Sequence, residues 1–304
     1  METVNYFKAL ADETRLRLAN LSLHYELNVN EIVDVMNMGQ SRISRHLKIL
    51  TDNKMLTCRR DGMWTFYSAA EEGDGCRFVG AVKYLFEKES VFKSDLAGAK
   101  RVREERSKAM INFFDSIAGA WEKLKREIIG DVDINNLILQ NLSAANTIVD
   151  LGCGTGDLLD ALKGKAERLI GVEKSPKMLE EARRRFAGDG DNIDLRVGEL
   201  EHLPLREEEA GLAVINMVLH HLPDPAKAFA DIHRVLEKGG GIIIVDLLTH
   251  NIERMRERYG DRWLGFSKED IEKWLEDSGF SLKKIEYFDL KKGLKGFIAQ
   301  SVKK

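Results

Sequence analysis

The sequence predicts an α/β protein in three sections. These are an amino-terminal helix-turn-helix with a hairpin wing (residues 1–75), a helical connector (76–140), and a mostly parallel sheet with helices on both faces (141–304). Three observations predict it. After Asn141, apolar strand-like runs alternate with amphipathic helices as far as Lys304, the pattern of a parallel sheet with crossover helices. Near the amino terminus, Ile32, Val33, Val35 and Met36, and then Ile43, Leu47 and Leu50, recur at helical spacing on either side of a short "NMG" turn. Between these sections, from Cys76 to about Asp131, the chain is charged, helix-forming and almost free of proline. With 304 residues and 43% of them apolar, two compact domains can each bury a core.

Net charge is only −3, so any nucleic-acid binding must come from a local patch rather than from a polycationic chain. Cys58, Cys76 and Cys153 lie far apart, which argues against a disulfide framework and a cysteine-rich metal site and fits a reducing cytoplasm. The first residues carry distributed charge, unlike a signal peptide, and no run is long enough to span a bilayer. A cytoplasmic protein with no membrane partner is expected.

A helix, a short turn and a second helix form a DNA-reading unit, with the second helix in the major groove. If Ile43, Leu47 and Leu50 are buried, then Gln40, Ser41, Arg42, Ser44, Arg45 and Lys48 face outward. Those side chains suit base edges and phosphates: glutamine for adenine, arginine for guanine or the backbone. In "MLTCRRDGMWTFYS", two β-prone runs flank Asp61-Gly62, a type I′ hairpin signal, and place Arg59 and Arg60 where they can reach phosphates or a minor groove. The plain alternative is a solvated helix and hairpin whose cations meet only water. Taken in order, "FKALADETRLRLANL", "SRISRHLKIL" and "RRDGMWTFYS" resemble the winged-helix domain of ArsR-type bacterial regulators. The resemblance implies a homodimer on a palindromic double-stranded DNA operator. Two departures stand out. The stretch "YELNVNEI", where many metal-sensing members carry a cysteine pair, has Asn28 and no cysteine, so a thiophilic ion is not the expected signal. Gly39 takes the place of the usual serine cap before the recognition helix.

In the connector, Phe78, Val82, Leu85 and Phe86 make one helical stripe, and Phe113, Phe114, Ile117 and Trp121 suggest another. Such stripes are first of all core or dimer contacts.

The strand "TIVDL" then runs into "GCGTG". Gly152, Gly154 and Gly156 remove side chains where the chain turns sharply and a ligand approaches the backbone. The spacing is GxGxG rather than GxGxxG, Asp157 fills the third glycine's place, and no Lys-Ser/Thr pair follows. The acid Asp150 ends the strand instead of a cation, which suits a ligand bearing both an ammonium and a carboxylate. Glu173 ends the next strand, where a carboxylate can accept both ribose hydroxyls; Lys174 follows it. Glu199 and the Leu200 backbone are placed to take an adenine amino group and a ring nitrogen, with Met178 and Leu200 sandwiching the ring. Together these describe S-adenosylmethionine or S-adenosylhomocysteine. Asn216, His220 and His221 follow the fourth strand, near where the sulfonium would lie; His220 is a candidate base. Two adjacent histidines without a third ligand do not make a metal site, and no metal is expected.

The series "VDLGCGTG", "GVEKSPKMLEEAR", "GELEHLPL" and "INMVLHHLPDPAKAFADIHRVLEKGGGIIIVD" resembles class I methyltransferases. This implies a Rossmann-like seven-stranded sheet whose terminal antiparallel strand is "GFIAQSV". It also implies that "FFDSIAGAW" is a lid, with Phe114 and Trp121 beside the cofactor. No cysteine set resembles that of arsenic methyltransferases. Over nearly its full length the chain is similar to fusions of an ArsR-type winged helix with this fold, some of which are regulators of the methionine cycle responding to S-adenosylhomocysteine. The leading expectation is therefore a regulator whose adenosyl ligand modulates operator binding. The alternative is an active methyltransferase acting on a small molecule, with the winged helix regulating its own gene. A third reading is a structural dimer that has lost its ligand.

Overall fold

Helices α1 (Glu2–Leu10) and α2 (Glu13–His24) open the computed structural model, which describes residues 2–61, 64–86, 88–188 and 192–304. Asp12 starts α2 by accepting from the Arg15 amide. Strand β1 (Leu27–Asn28) leads into α3 (Val29–Met36) through a capping box. The Asn28 side chain accepts from the Glu31 amide at 3.0 Å, and Glu31 accepts from the Asn28 amide at 2.9 Å. Asn28 thus serves as a helix cap in the stretch that lacks a cysteine. Helix α4 (Gln40–Asp52) follows the turn, and the sheet β1-β3-β2 is completed by β2 (Leu56–Asp61) and β3 (Trp64–Ala69). The hairpin closes with Asp61 opposite Trp64; Gly62 of the expected Asp61-Gly62 turn lies outside the described residues.

Ile43, Leu47 and Leu50 are fully buried with Leu18, Ile32 and Met55, as the helical spacing requires. Helices α5 (Asp74–Phe86) and α6 (Ser90–Ile117) continue the chain. Asp95 of α6 is buried and accepts two 2.7 Å bonds from Arg17 of α2, a bidentate pair that spares either charge an unpaired burial. The stripe expected in α5 is kept except at Leu85: Phe86 is buried, and Phe78 and Val82 pack half-buried against the same core. Val79 and Phe86 are buried, whereas Leu85 is exposed together with Tyr84, because Val79 and Phe86, seven residues apart, define the inward face.

The chain divides into two compact units, 1–108 and 109–304, so the section expected as a separate connector (76–140) is shared between them. In the second unit, a 3₁₀ turn (Ala118–Ala120) precedes α7 (Trp121–Ile129) and α8 (Ile134–Gln140). The alternating pattern then follows. It runs β4 (Thr147–Leu151), α9 (Asp157–Ala161), β5 (Arg168–Glu173), α10 (Pro176–Arg185), β6 (Ile193–Val197) and β7 (Ala210–Asn216). It continues with α11 (Pro225–Val235), β8 (Leu236–Leu247), α12 (Arg254–Tyr259), α13 (Lys268–Asp277), β9 (Phe280–Asp289) and β10 (Lys295–Lys303). Strand order is β6-β5-β4-β7-β8-β10-β9, with β10 antiparallel to both neighbours. The expected antiparallel strand "GFIAQSV" lies within β10. Each face of the sheet carries its own apolar core: Phe229, Phe266, Phe280 and Phe297 on one, Leu159, Leu179 and Ile138 on the other. Strand order reverses between β4 and β7, and such a reversal opens a crevice at the carboxyl ends of the strands. No helix among the described residues is long and apolar enough to cross a membrane.

Candidate functional site

Three sequence-predicted groups meet at the ends of β4 and β5. Asp150 is buried in β4 opposite Gly171 of β5, and Glu173 ends β5. Burial, reinforced by the charges of Glu173 and Asp157 and opposed by Lys125, pushes the Asp150 carboxyl up to about 7. Burial also raises the Glu173 carboxyl, against the backbone amides that it accepts. One Glu173 oxygen takes the Gly154 amide at 3.1 Å and the other the Ser175 amide at 2.7 Å. Glu173 therefore clamps the glycine loop to the start of α10, and its remaining lone pairs stay available for hydroxyls.

The three glycines have different reasons. All adopt positive φ. A Cβ on Gly152 would stand 2.5 Å from the Val218 side chain, and one on Gly156 would stand 2.6 Å from Phe186, so packing within the protein excludes both. At Gly154 the nearest atom to a Cβ would be Trp121 Nε1 at 3.7 Å, leaving this the glycine where a ligand has room to approach.

The 113–129 segment packs over these loops through polar contacts. Asp115 accepts from Ser175 Oγ at 2.5 Å and from the Lys177 amide at 3.2 Å. Thr155 Oγ1 donates to Glu122 at 2.7 Å, and Lys125 donates to Asp157 at 2.8 Å. Asp157 also accepts from Asn135 at 2.9 Å. Although burial opposes it, these partners and Arg185 hold the Asp157 carboxyl below its ordinary range. Phe114 and Trp121 pack edge to face at 5.6 Å. Among the adenine-side residues, Met178 and Leu200 are buried, while Glu199 is exposed and pairs with Lys174 at 2.9 Å. The single cysteine of this unit, Cys153, is buried; that burial, reinforced by the charges of Asp150 and Glu173, drives its thiol well above the usual range and leaves it a poor nucleophile.

Beyond β7 the structure brings together more than the sequence reading found. Asn216 ends β7 with a buried Oδ1 that has no partner. His220 is buried; its Nδ1 lies 2.6 Å from Asp246 Oδ1 and its Nε2 lies 3.8 Å from Asp261 Oδ1. Burial alone would depress its pKa, but the two carboxylates push it up to about 9. His221 holds the Gly260 carbonyl at 3.2 Å through Nδ1; burial and the neighbouring His220 keep it well below the usual imidazole range. The Phe114 ring packs on His221 at 4.9 Å, which joins the histidine pair to the 113–129 segment. Asp246, Asp261, Asp115 and Glu122 were missed in the sequence. The one available signal was Asp246, an acid inside the apolar run 242–247.

In the first unit, Gln40, Ser41, Arg42, Ser44, Arg45 and Lys48 are all exposed on the face of α4 opposite its buried stripe. Lys48 pairs with Asp52 at 3.1 Å, and Arg42 reaches Thr14 at 3.4 Å. Arg60 is exposed, but Arg59 is gripped bidentately by Glu26 at 3.0 and 3.1 Å and stacked on Phe66. Gly39 caps α4 without a side-chain bond.

Two family profiles match. That of bacterial regulatory proteins of the arsR family covers residues 12–53, and that of a methyltransferase domain covers residues 149–244. The chain is 34% identical over 111 residues to arsenite methyltransferase of Halobacterium salinarum, covering 35% of this chain and 28% of that one. It is 31% identical over 176 residues to malonyl-[acyl-carrier protein] O-methyltransferase of Hahella chejuensis, covering 57% and 61%. It therefore spans less than two-thirds of either relative. The fold is similar to that of geranyl diphosphate C-methyltransferase from Streptomyces coelicolor, with a TM-score of 0.51 at 14% identity over 56% of this chain and 78% of that one. The sheet order and the glycine loop define a class I methyltransferase-like domain. The chain as a whole joins an ArsR-like helix-turn-helix domain, at its amino terminus, to that domain.

Proposed function

We propose that this chain is a methyltransferase that uses S-adenosylmethionine on a small acceptor, and that its ArsR-like domain binds double-stranded DNA to regulate its own gene. The convergence of Asp150, Gly154 and Glu173 at the carboxyl ends of adjacent strands carries the reading. The Asp150 carboxylate suits an ammonium, Gly154 leaves room beside the loop amides, and Glu173 keeps lone pairs for ribose hydroxyls. Bound there, the adenosyl sulfonium supplies the methyl group. Catalysis is favoured over a purely sensory role because the relatives named above are methyltransferases and because a polar cluster, His220, Asp246 and Asp261, is buried at the loop after β7. A lone buried Cys153 gives a thiophilic arsenic acceptor no thiolate set in this unit. Exposed Val4, Phe7, Tyr84 and Leu85 on α1 and α5 support self-association of the first unit into a homodimer.

Incubation with methyl-labelled donor and a cell extract is the direct test. Labelled acceptor is the expected result, and donor binding without any turnover would restore the sensor reading. In that case operator affinity, titrated separately with each adenosyl compound, should change by about 5- to 150-fold.

Two variants separate the halves. Arg45→Ala removes an exposed cation of α4 and is expected to weaken operator binding by about 1–3 kcal/mol, roughly 5- to 150-fold, with S-adenosylhomocysteine affinity unchanged by calorimetry. Trp121→Ala removes the indole nearest Gly154 and should weaken that affinity by about tenfold while leaving DNA binding intact in a gel-shift titration.

A further inference from the structure

Two buried carboxylates and two imidazoles converge behind the loop that follows β7, and the protein leaves most of their outer atoms without partners. Asp246 and Asp261 are 0% and 4% exposed. Asp246 Oδ2, both Asp261 oxygens and His221 Nε2 are buried with no hydrogen-bond partner. One ligand atom from each of His220, His221 and Asp261 lies within 4.8 Å of the other two. Burying acceptors in this way is costly unless something positive sits among them. Arg256, whose charge reaches Asp261, pairs with Glu253 at 3.3 Å.

The outer contacts have the form that metal-binding imidazoles need. His220 Nδ1 faces Asp246 at 2.6 Å and His221 Nδ1 faces the Gly260 carbonyl at 3.2 Å. With both Nδ1 atoms acting as donors, an ion would take both Nε2 lone pairs, displacing the proton that His220 carries there, and each ring is fixed by a carboxylate or a carbonyl. His220 Nε2 stands 3.8 Å from Asp261 Oδ1, a gap that a shared ion with bonds of about 2.0–2.2 Å would bridge.

We propose that His220 Nε2, His221 Nε2 and the Asp261 carboxylate bind a divalent transition-metal ion of the zinc class, with Asp246 and the Gly260 carbonyl as its supporting shell. Three protein ligands leave an open position, the arrangement of catalytic rather than structural sites. Ion binding does not depend on the methyltransferase reading; the ion's use does. The His221 ring touches Phe114, which touches Trp121, whose indole nitrogen faces Gly154, so the site lies alongside the proposed donor loop. Its acceptor class is therefore a small molecule with an ionisable O–H or S–H. That group binds the ion as its conjugate base, its proton going to solvent. The bound heteroatom then forms a bond to the methyl carbon while the carbon–sulfur bond breaks, its electron pair returning to sulfur.

The test uses full-length, tag-free protein stripped with a chelator and titrated with Zn²⁺ alone and with Co²⁺ as a spectroscopic probe. One equivalent per chain is expected, with cobalt bands that lack thiolate charge transfer and so exclude Cys58 and Cys76 as ligands. His221→Gln and Asp261→Asn should each weaken binding at least tenfold, and Asp246→Asn about 10- to 100-fold. His46→Ala, in the first unit, should change nothing. Each variant is checked for folding by thermal unfolding and for S-adenosylhomocysteine binding without metal, so a failed donor pocket is distinguished from a failed ion site. Absence of stoichiometric binding by the wild-type protein would overturn the proposal. So would undiminished binding by folded His221→Gln and Asp261→Asn proteins.

Discussion

Glu173→Ala is expected to abolish measurable S-adenosylhomocysteine binding at concentrations that saturate the wild-type protein, a loss of at least a hundredfold by calorimetry. The effect is large because Glu173 does two things at once. Its oxygens hold the Gly154 and Ser175 amides at 3.1 and 2.7 Å, which sets the glycine loop against the start of α10. In the proposed complex they also accept the ribose hydroxyls. Hydrogen bonds to a charged group are worth about 1.5–3 kcal/mol each, so losing two costs at least about 3 kcal/mol. Glu173→Gln separates the roles. Its one carbonyl oxygen can hold only one amide, and its NH₂ cannot accept, so intermediate affinity is expected. Equal affinities for wild type and Glu173→Ala would remove Glu173 from the binding site.

Asp150 yields the second large effect, through pH. Its carboxyl is pushed up to about 7, chiefly by burial, whereas in the unfolded chain it titrates near the ordinary value of about 3.9. The folded state therefore holds an extra proton between about pH 4 and pH 7, and stability contributed by this group falls as pH rises through that window. Above pH 7 the burial of its charge is a standing cost of a few kcal/mol. Asp150→Asn removes it, so the ligand-free variant should melt above wild type at pH 8 and level with it near pH 4. Ligand binding should show the opposite preference. An ammonium partner favours the carboxylate, so wild-type affinity should rise from pH 6 to pH 7.5, with proton uptake by buffer at the lower pH. Asp150→Asn should lose both the slope and about 1.5–3 kcal/mol of affinity. A pH-independent wild-type affinity would place the ammonium elsewhere.

Much of the fold was legible because burial follows periodicity. Ile43, Leu47 and Leu50 are as buried as their spacing demands, and the polar residues between them are exposed. Alternating apolar runs found the parallel sheet, and "GFIAQSV" found its antiparallel strand. Leu85 was misplaced because Phe78, Val82, Leu85 and Phe86 fit two adjacent stripes, and only packing selects between them. Helix α9 after the glycine loop runs only from Asp157 to Ala161, since local propensity does not fix where a short helix stops.

The class of each half, the exposed face of α4 and the acid–glycine–acid arrangement of β4 and β5 could be read from the amino-acid order. Those features depend on residues close together in the chain or on a repeating period. It took the folded chain to show that Gly152 and Gly156 answer to Val218 and Phe186, that Glu26 holds Arg59, and that Asp246 and Asp261 stand around His220. Each of those contacts joins segments tens of residues apart. Sheet order and loop closure bring them together, and no spacing rule encodes that distance.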